Sequence, residues 1–246
     1  MLSTSRRTLP SRDLPRAEVL KLIGLAAVVA VLLAWVPWLS ALAFPFRLLL
    51  TTVHELGHGL AALLTGGEFQ RFWIAPDGSG LAYTAGGWRW LIVPAGYLGA
   101  ALFGAVLVLL GRRPRAGRFA LIAIGGAMVL LTVRYGVPNL LSGDLGAGLL
   151  TVVAGCGIGL LLLFVGLRTS ARWVVFTVHL IAIEAALFAL DDLRVLVGLS
   201  TGLGGANDAR SMAEMTWIPA VVWALLWGAV AGAMIGFAVY RAWLRR

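Results

Sequence analysis

The chain has 246 residues, 60% of them hydrophobic and only 13% charged, a balance that soluble globular domains do not keep. Its formal charge of +9 is dispersed over the N-terminal stretch, loops and C-terminus, with no aromatic interleaving on a polar face, so anionic lipid headgroups rather than nucleic acid are the expected partner. The single cysteine, Cys156, excludes an internal disulfide.

Residues 1–19 carry Arg6, Arg7, Arg12, Arg16 and two prolines, and are expected to form a disordered basic tail. The rest, 20–246, reads as a single transmembrane domain. The first apolar run is too long for the core of a signal peptide and lacks a small-residue cleavage pattern, so a retained span is expected. Spans are expected at about 20–43, 46–65, 89–110, 118–138, 146–167, 172–190 and 217–240. The fold class is therefore an all-α polytopic membrane protein of about six to seven transmembrane helices. Pro37 and Pro45 predict a kink around the first run, and the second is weakened by His54, Glu55 and His58.

Between 66 and 88 the sequence is rich in glycine and aromatics without helical periodicity, which predicts a small surface or re-entrant hairpin. Gly96, Ala100 and Gly104, Gly155 and Gly159, and Gly228, Gly232 and Gly236 recur every four residues and predict smooth ridges for close helix packing. Arg134, Tyr135 and Asn139 read as an interfacial anchor, and the ten tryptophans as an aromatic belt near span ends. With seven alternating spans the Lys and Arg residues divide ten against ten, so the positive-inside rule assigns no orientation.

The chemistry gathers in the second span, at TTVHELGHGL, residues 51–60. On a helix, residues four apart share a face, so His54 and His58 can offer ring nitrogens to one Zn²⁺ while Glu55 stands beside them as general base. The chain has only three histidines, two of them here, and a glutamate buried in hydrocarbon is costly unless it serves a purpose. A catalytic zinc needs a third protein ligand. Asp208, which opens a helix after a glycine-rich turn, is the first candidate, with an N-cap as its alternative role; Asp191 and Asp192 come next. His179 and Glu184 lie five residues apart, about 140° around a helix, and read as interior packing or a water path rather than a single-face pair.

HELGHGLAALLTGG at 54–67, GG…VPAGYLGAALFG at 86–104 and NDARSMAEMTWIP at 207–219 resemble the site-2 protease family of intramembrane zinc metallopeptidases. The likeness is to its compact bacterial and fungal branch without PDZ or CBS domains. That branch has a Ser-Asp-Ala element before the last span; here Asn207 stands for the serine and Asp208 is kept. The resemblance implies zinc as cofactor, peptide bonds in transmembrane segments of other membrane proteins as substrate, and an integral, multi-pass location in a bacterial cell membrane. It also supports Asp208 as third ligand. Two other readings are a metal transporter, which needs more ligands along a path than this sequence offers, and an inactive scaffold, which would be expected to have lost Glu55 or a histidine.

Overall fold

A computed structural model describes residues 14–141, 145–200 and 207–245. Helix α1, Arg16–Trp35, starts inside the stretch expected to be a tail. It stops at Val36, whose backbone is extended, because the next residue is Pro37: the residue before a proline avoids helical geometry. After a single tight turn, α2 (Ser40–Leu64) begins earlier than expected and takes Pro45 into its first turns. The aperiodic stretch is a two-stranded antiparallel hairpin, β1 (Glu68–Ile74) and β2 (Gly80–Ala85), turned through Gly78 at a φ of +85° that favours glycine.

The remaining helices are α3 (Arg89–Leu110), α4 (Pro114–Leu131, continued by a wide π-helical turn and then a tight 3-10 turn to Leu141), α5 (Leu145–Val152), α6 (Ile158–Arg168), α7 (Ala171–Ser200), α8 (Asp208–Thr216) and α9 (Ala220–Val239). Helices α5 and α6 form one run through a π-helical turn. Six of the described runs are long and apolar enough to cross a membrane: α1, α3, α4, α5–α6, α7 and α9. This is a polytopic, all-α integral membrane protein. Helix α2, the weak span of the sequence, is not among the six.

Small residues bring helices together at several points, Gly159 of the expected ridges among them. A Cβ on Gly57 would sit 2.6 Å from the Ala95 carbonyl oxygen, so α2 and α3 touch at backbone distance, and Gly125 of α4 meets Gly159 of α6 in the same way. The α9 ridge is different: nothing lies within 4 Å of a Cβ on Gly232 or Gly236, and the helix packs instead through Ala224, Trp227 and Ala231 against Tyr97 and Ala101 of α3. Asn139 is no interfacial anchor either. It is buried, and its side-chain amide donates to the carbonyls of Phe72 in β1 and Gly136. Tyr135 stacks on Phe69, with ring centroids 4.2 Å apart. Trp35, Trp38, Trp88, Trp173 and Trp217 are exposed near helix ends, as a belt requires, whereas Trp227 is buried.

Contacts between helix ends fix which ends share a face. Arg172, at the start of α7, pairs with Glu18 at the start of α1. Farther along, Ala26 and Ala30 of α1 pack with Leu180, Ile183 and Leu187, so α1 and α7 run parallel. Helix α3 runs against α7: Tyr97 donates to the Ala189 carbonyl, Gly104 meets Ala185 and Gly111 meets His179. Arg118 of α4 donates to the Gly166 and Thr169 carbonyls at the end of α6, and Arg112 to the Arg241 carbonyl after α9. Both ends of the described chain therefore lie on one face. Helix α2 leaves from and returns to the other, so it does not change the side of the chain.

That overturns the ten-to-ten division, which assumed a crossing by α2. On the termini face lie Arg16, Lys21, Arg112, Arg113, Arg115, Arg118, Arg168, Arg172, Arg241 and Arg245; on the opposite face lie Arg47, Arg71, Arg89, Arg134, Arg194 and Arg210.

Candidate metal centre

Helix α2 sets the stripe Arg47, Thr51, His54, Glu55 and His58 towards a cleft of about 740 Å³, walled by β2, by Ile92, Val93 and Tyr97 of α3, and by Phe188 of α7. His54 and His58 stand edge to face with ring centroids 4.8 Å apart. The Nδ1–H of His58 donates to the Ile92 carbonyl at 2.7 Å, which directs its Nε2 lone pair into the cleft. Gly96 of α3 lies directly against both rings: a Cβ there would be 2.3 Å from His58 Nε2 and 2.4 Å from His54 Nε2.

Asp208 arrives from the first residue of α8. Its Oδ2 is 3.1 Å from His54 Nε2 and 3.3 Å from His58 Nε2. The N-cap role belongs to its neighbour, for the Asn207 side chain accepts the Arg210 backbone N–H at 2.9 Å, leaving the Asp208 carboxylate to face the histidines. Asp191 pairs with Arg47 at 3.8 Å on the rim of the cleft. The Asp192 side chain, like Asp144, lies outside the described residues.

Glu55 is buried beside this group, reached by the Ala82 backbone of β2. A Cβ on Gly80 would stand 2.6 Å from its Oε1, so the strand passes the carboxylate at van der Waals distance. The hairpin is held along α2 by Thr51, whose hydroxyl donates to the Gly78 carbonyl at 2.8 Å, and on its other side by the Ile74 N–H, which donates to Thr151 at 2.8 Å. At its tip the Ser79 hydroxyl and N–H both donate to Asp77, holding that carboxyl below the usual range. His179 and Glu184 are both buried, the first giving its Nδ1–H to the Val175 carbonyl; neither lines the cleft.

One donor atom each from His54, His58 and Asp208 lie within 4.8 Å of one another, the one such group among the described residues. Two imidazoles, one with its tautomer fixed from behind, and a carboxylate are a donor set that suits Zn²⁺, with the cleft leaving a fourth position open. The close approaches of Gly96 and Gly80 were not recognised from sequence, where Gly96 reads as part of a packing ridge. The Ile92 carbonyl carries no side-chain signal at all.

No curated protein and no solved structure gives a significant match to the chain. The model of the family described as Peptidase M50B-like matches residues 24–238. That stretch takes in α2, the hairpin, α8 and nearly all of the described helices, and it agrees with the resemblance carried by the three motifs: the chain belongs to the Peptidase M50B-like family.

Proposed function

We propose that this protein is an intramembrane zinc metalloendopeptidase that hydrolyses peptide bonds in or near transmembrane segments of other membrane proteins. The observation that carries the proposal is the meeting of Asp208 with His54 and His58, 154 residues apart for His54 and Asp208, beside a buried glutamate in an open cleft. His54, His58 and Asp208 would hold the metal. When bound, zinc would supply Lewis acidity towards the attacking water and the scissile carbonyl. Glu55 takes the proton from that water and returns it to the leaving amine nitrogen as the carbon–nitrogen bond breaks. The Ile92 carbonyl and Gly96 keep His58 oriented with its Nε2 towards the cleft.

A peptide in a helix has no free backbone to offer, so the substrate must unwind locally. Strand β2 lines the cleft and pairs with β1 alone among the described residues, so its far edge can take an extended substrate as a third strand. The transporter reading is disfavoured because the described residues hold a single metal-ligating group rather than a series along a path. The test is Glu55→Gln in purified protein: zinc is retained, and cleavage of a transmembrane-segment peptide in detergent falls by about 100-fold or more, the scale of a lost general base. Undiminished cleavage would remove Glu55 from the chemistry.

A further inference from the structure

We propose that the Ser211 hydroxyl is a further catalytic group of the cleft, donating a hydrogen bond to the oxygen of the scissile carbonyl as negative charge develops on it. The inference rests on the peptidase reading and starts from the packing of α8. Ala209 and Met212 are buried with Val93 and Tyr97 of α3, so the turn of α3 that walls the cleft also seats this helix. Asp208 and Ser211, three residues apart, share the neighbouring stripe, and both line the cleft. Asp208 meets the histidines there, and Ser211 stands half-buried one turn farther along.

What marks Ser211 is an unused donor. Thr52, Thr65, Thr151, Thr169 and Thr216 each return a hydroxyl to the carbonyl four residues back along the chain. Ser211 does not: the Asn207 carbonyl takes its backbone N–H at 2.9 Å, and its hydroxyl has no hydrogen-bond partner among the described residues. The other side-chain donors of the cleft are engaged or displaced. The hydroxyls of Thr51, Ser79 and Tyr97 donate to Gly78, Asp77 and Ala189, and Arg47 is paired with Asp191 on the rim. Asn207 folds its side chain back to cap Arg210, Thr84 lies two residues past the contact of Ala82 with Glu55, and Arg89 is exposed at the start of α3.

As the water oxygen bonds to the carbonyl carbon, the carbon–oxygen π pair moves onto the carbonyl oxygen. Ser211 keeps its proton and only hydrogen-bonds that oxygen. The pair returns as the carbon–nitrogen bond breaks, and the nitrogen takes the proton held by Glu55. A donor whose bond strengthens as charge develops lowers the barrier more than it tightens ground-state binding.

The test is Ser211→Ala in the full chain, a change that keeps α8 because alanine is the better helix former. Cleavage of a transmembrane-segment peptide in detergent is measured beside zinc content, and binding of the uncleaved peptide is measured by fluorescence anisotropy with and without Ser211→Ala in a Glu55→Gln background. A phosphinate analogue of the peptide, whose tetrahedral oxygens imitate the charged one, gives an inhibition constant for parent and variant. The expected result is a kcat lower by about 100-fold and phosphinate affinity weakened by a similar factor, with KM, peptide binding and zinc content at parental levels. Equal kcat and equal phosphinate affinity in a parent that cleaves would overturn the role of Ser211 and leave the peptidase reading standing. Loss of zinc in Ser211→Ala would overturn it as well, making the residue a support of Asp208. A parent that holds zinc but cleaves no peptide would overturn both.

Discussion

At the scale of single residues, the centre depends on what is small as much as on what is charged. Gly96→Ala would put a methyl 2.3 Å from His58 Nε2 and 2.4 Å from His54 Nε2, so both rings must shift from the positions in which they meet Asp208. The variant is expected to fold, by thermal unfolding in detergent, with zinc content well below that of the parent. Asp208 and Asn207 can be separated for the same reason. Asp208→Asn should weaken zinc binding by more than about 100-fold, beyond the 10–100-fold typical of outer-shell changes, whereas Asn207→Ala removes the cap and costs about 1 kcal/mol of helix stability with zinc kept. Competition against a chelator reads the first and thermal unfolding the second. Of this centre, His54, Glu55 and His58 were legible in the sequence because one helix carries them at fixed spacing. Asp208 stood beside Asp191 and Asp192 as an alternative, since no local pattern tells which acid a fold will carry to a distant helix.

Among the elements, the hairpin is the one that sets the chemistry. Its existence followed from glycine and aromatics without helical period, but its attachment did not: a polar residue near a span end reads as an interfacial anchor, and only the fold reveals that Asn139 holds β1 through the Phe72 carbonyl. Asn139→Ala leaves that buried carbonyl without its side-chain donor, a cost of about 1–3 kcal/mol. Faster hydrogen exchange across residues 68–85 is the expected signature. Gly80→Ala acts at the other strand, where the new methyl meets Glu55 Oε1. Cleavage should drop by about 100-fold at unchanged zinc content, the pattern of a displaced base rather than a lost metal. A loss of zinc in this variant would instead mean that the strand supports the histidines.

For the whole molecule, length and apolar character identified the six membrane-crossing runs, with α1 ending early at Pro37 because a proline ring cannot continue a helix. What they did not reveal is that α2 returns to the face it leaves. A helix of 25 residues is long enough to cross, and only its packing, Gly57 on Ala95 and the histidines on Gly96, shows where it lies. Holding α2 there brings its two histidines, a carboxylate from α8 and a strand of the hairpin into one cleft. The most direct test of that convergence is the zinc content of the purified full chain by elemental analysis, beside His54→Ala and Asp208→Asn. The account predicts about one zinc per chain in the parent, as a three-ligand site requires, and near loss in both variants. Equal zinc in all three proteins would contradict it.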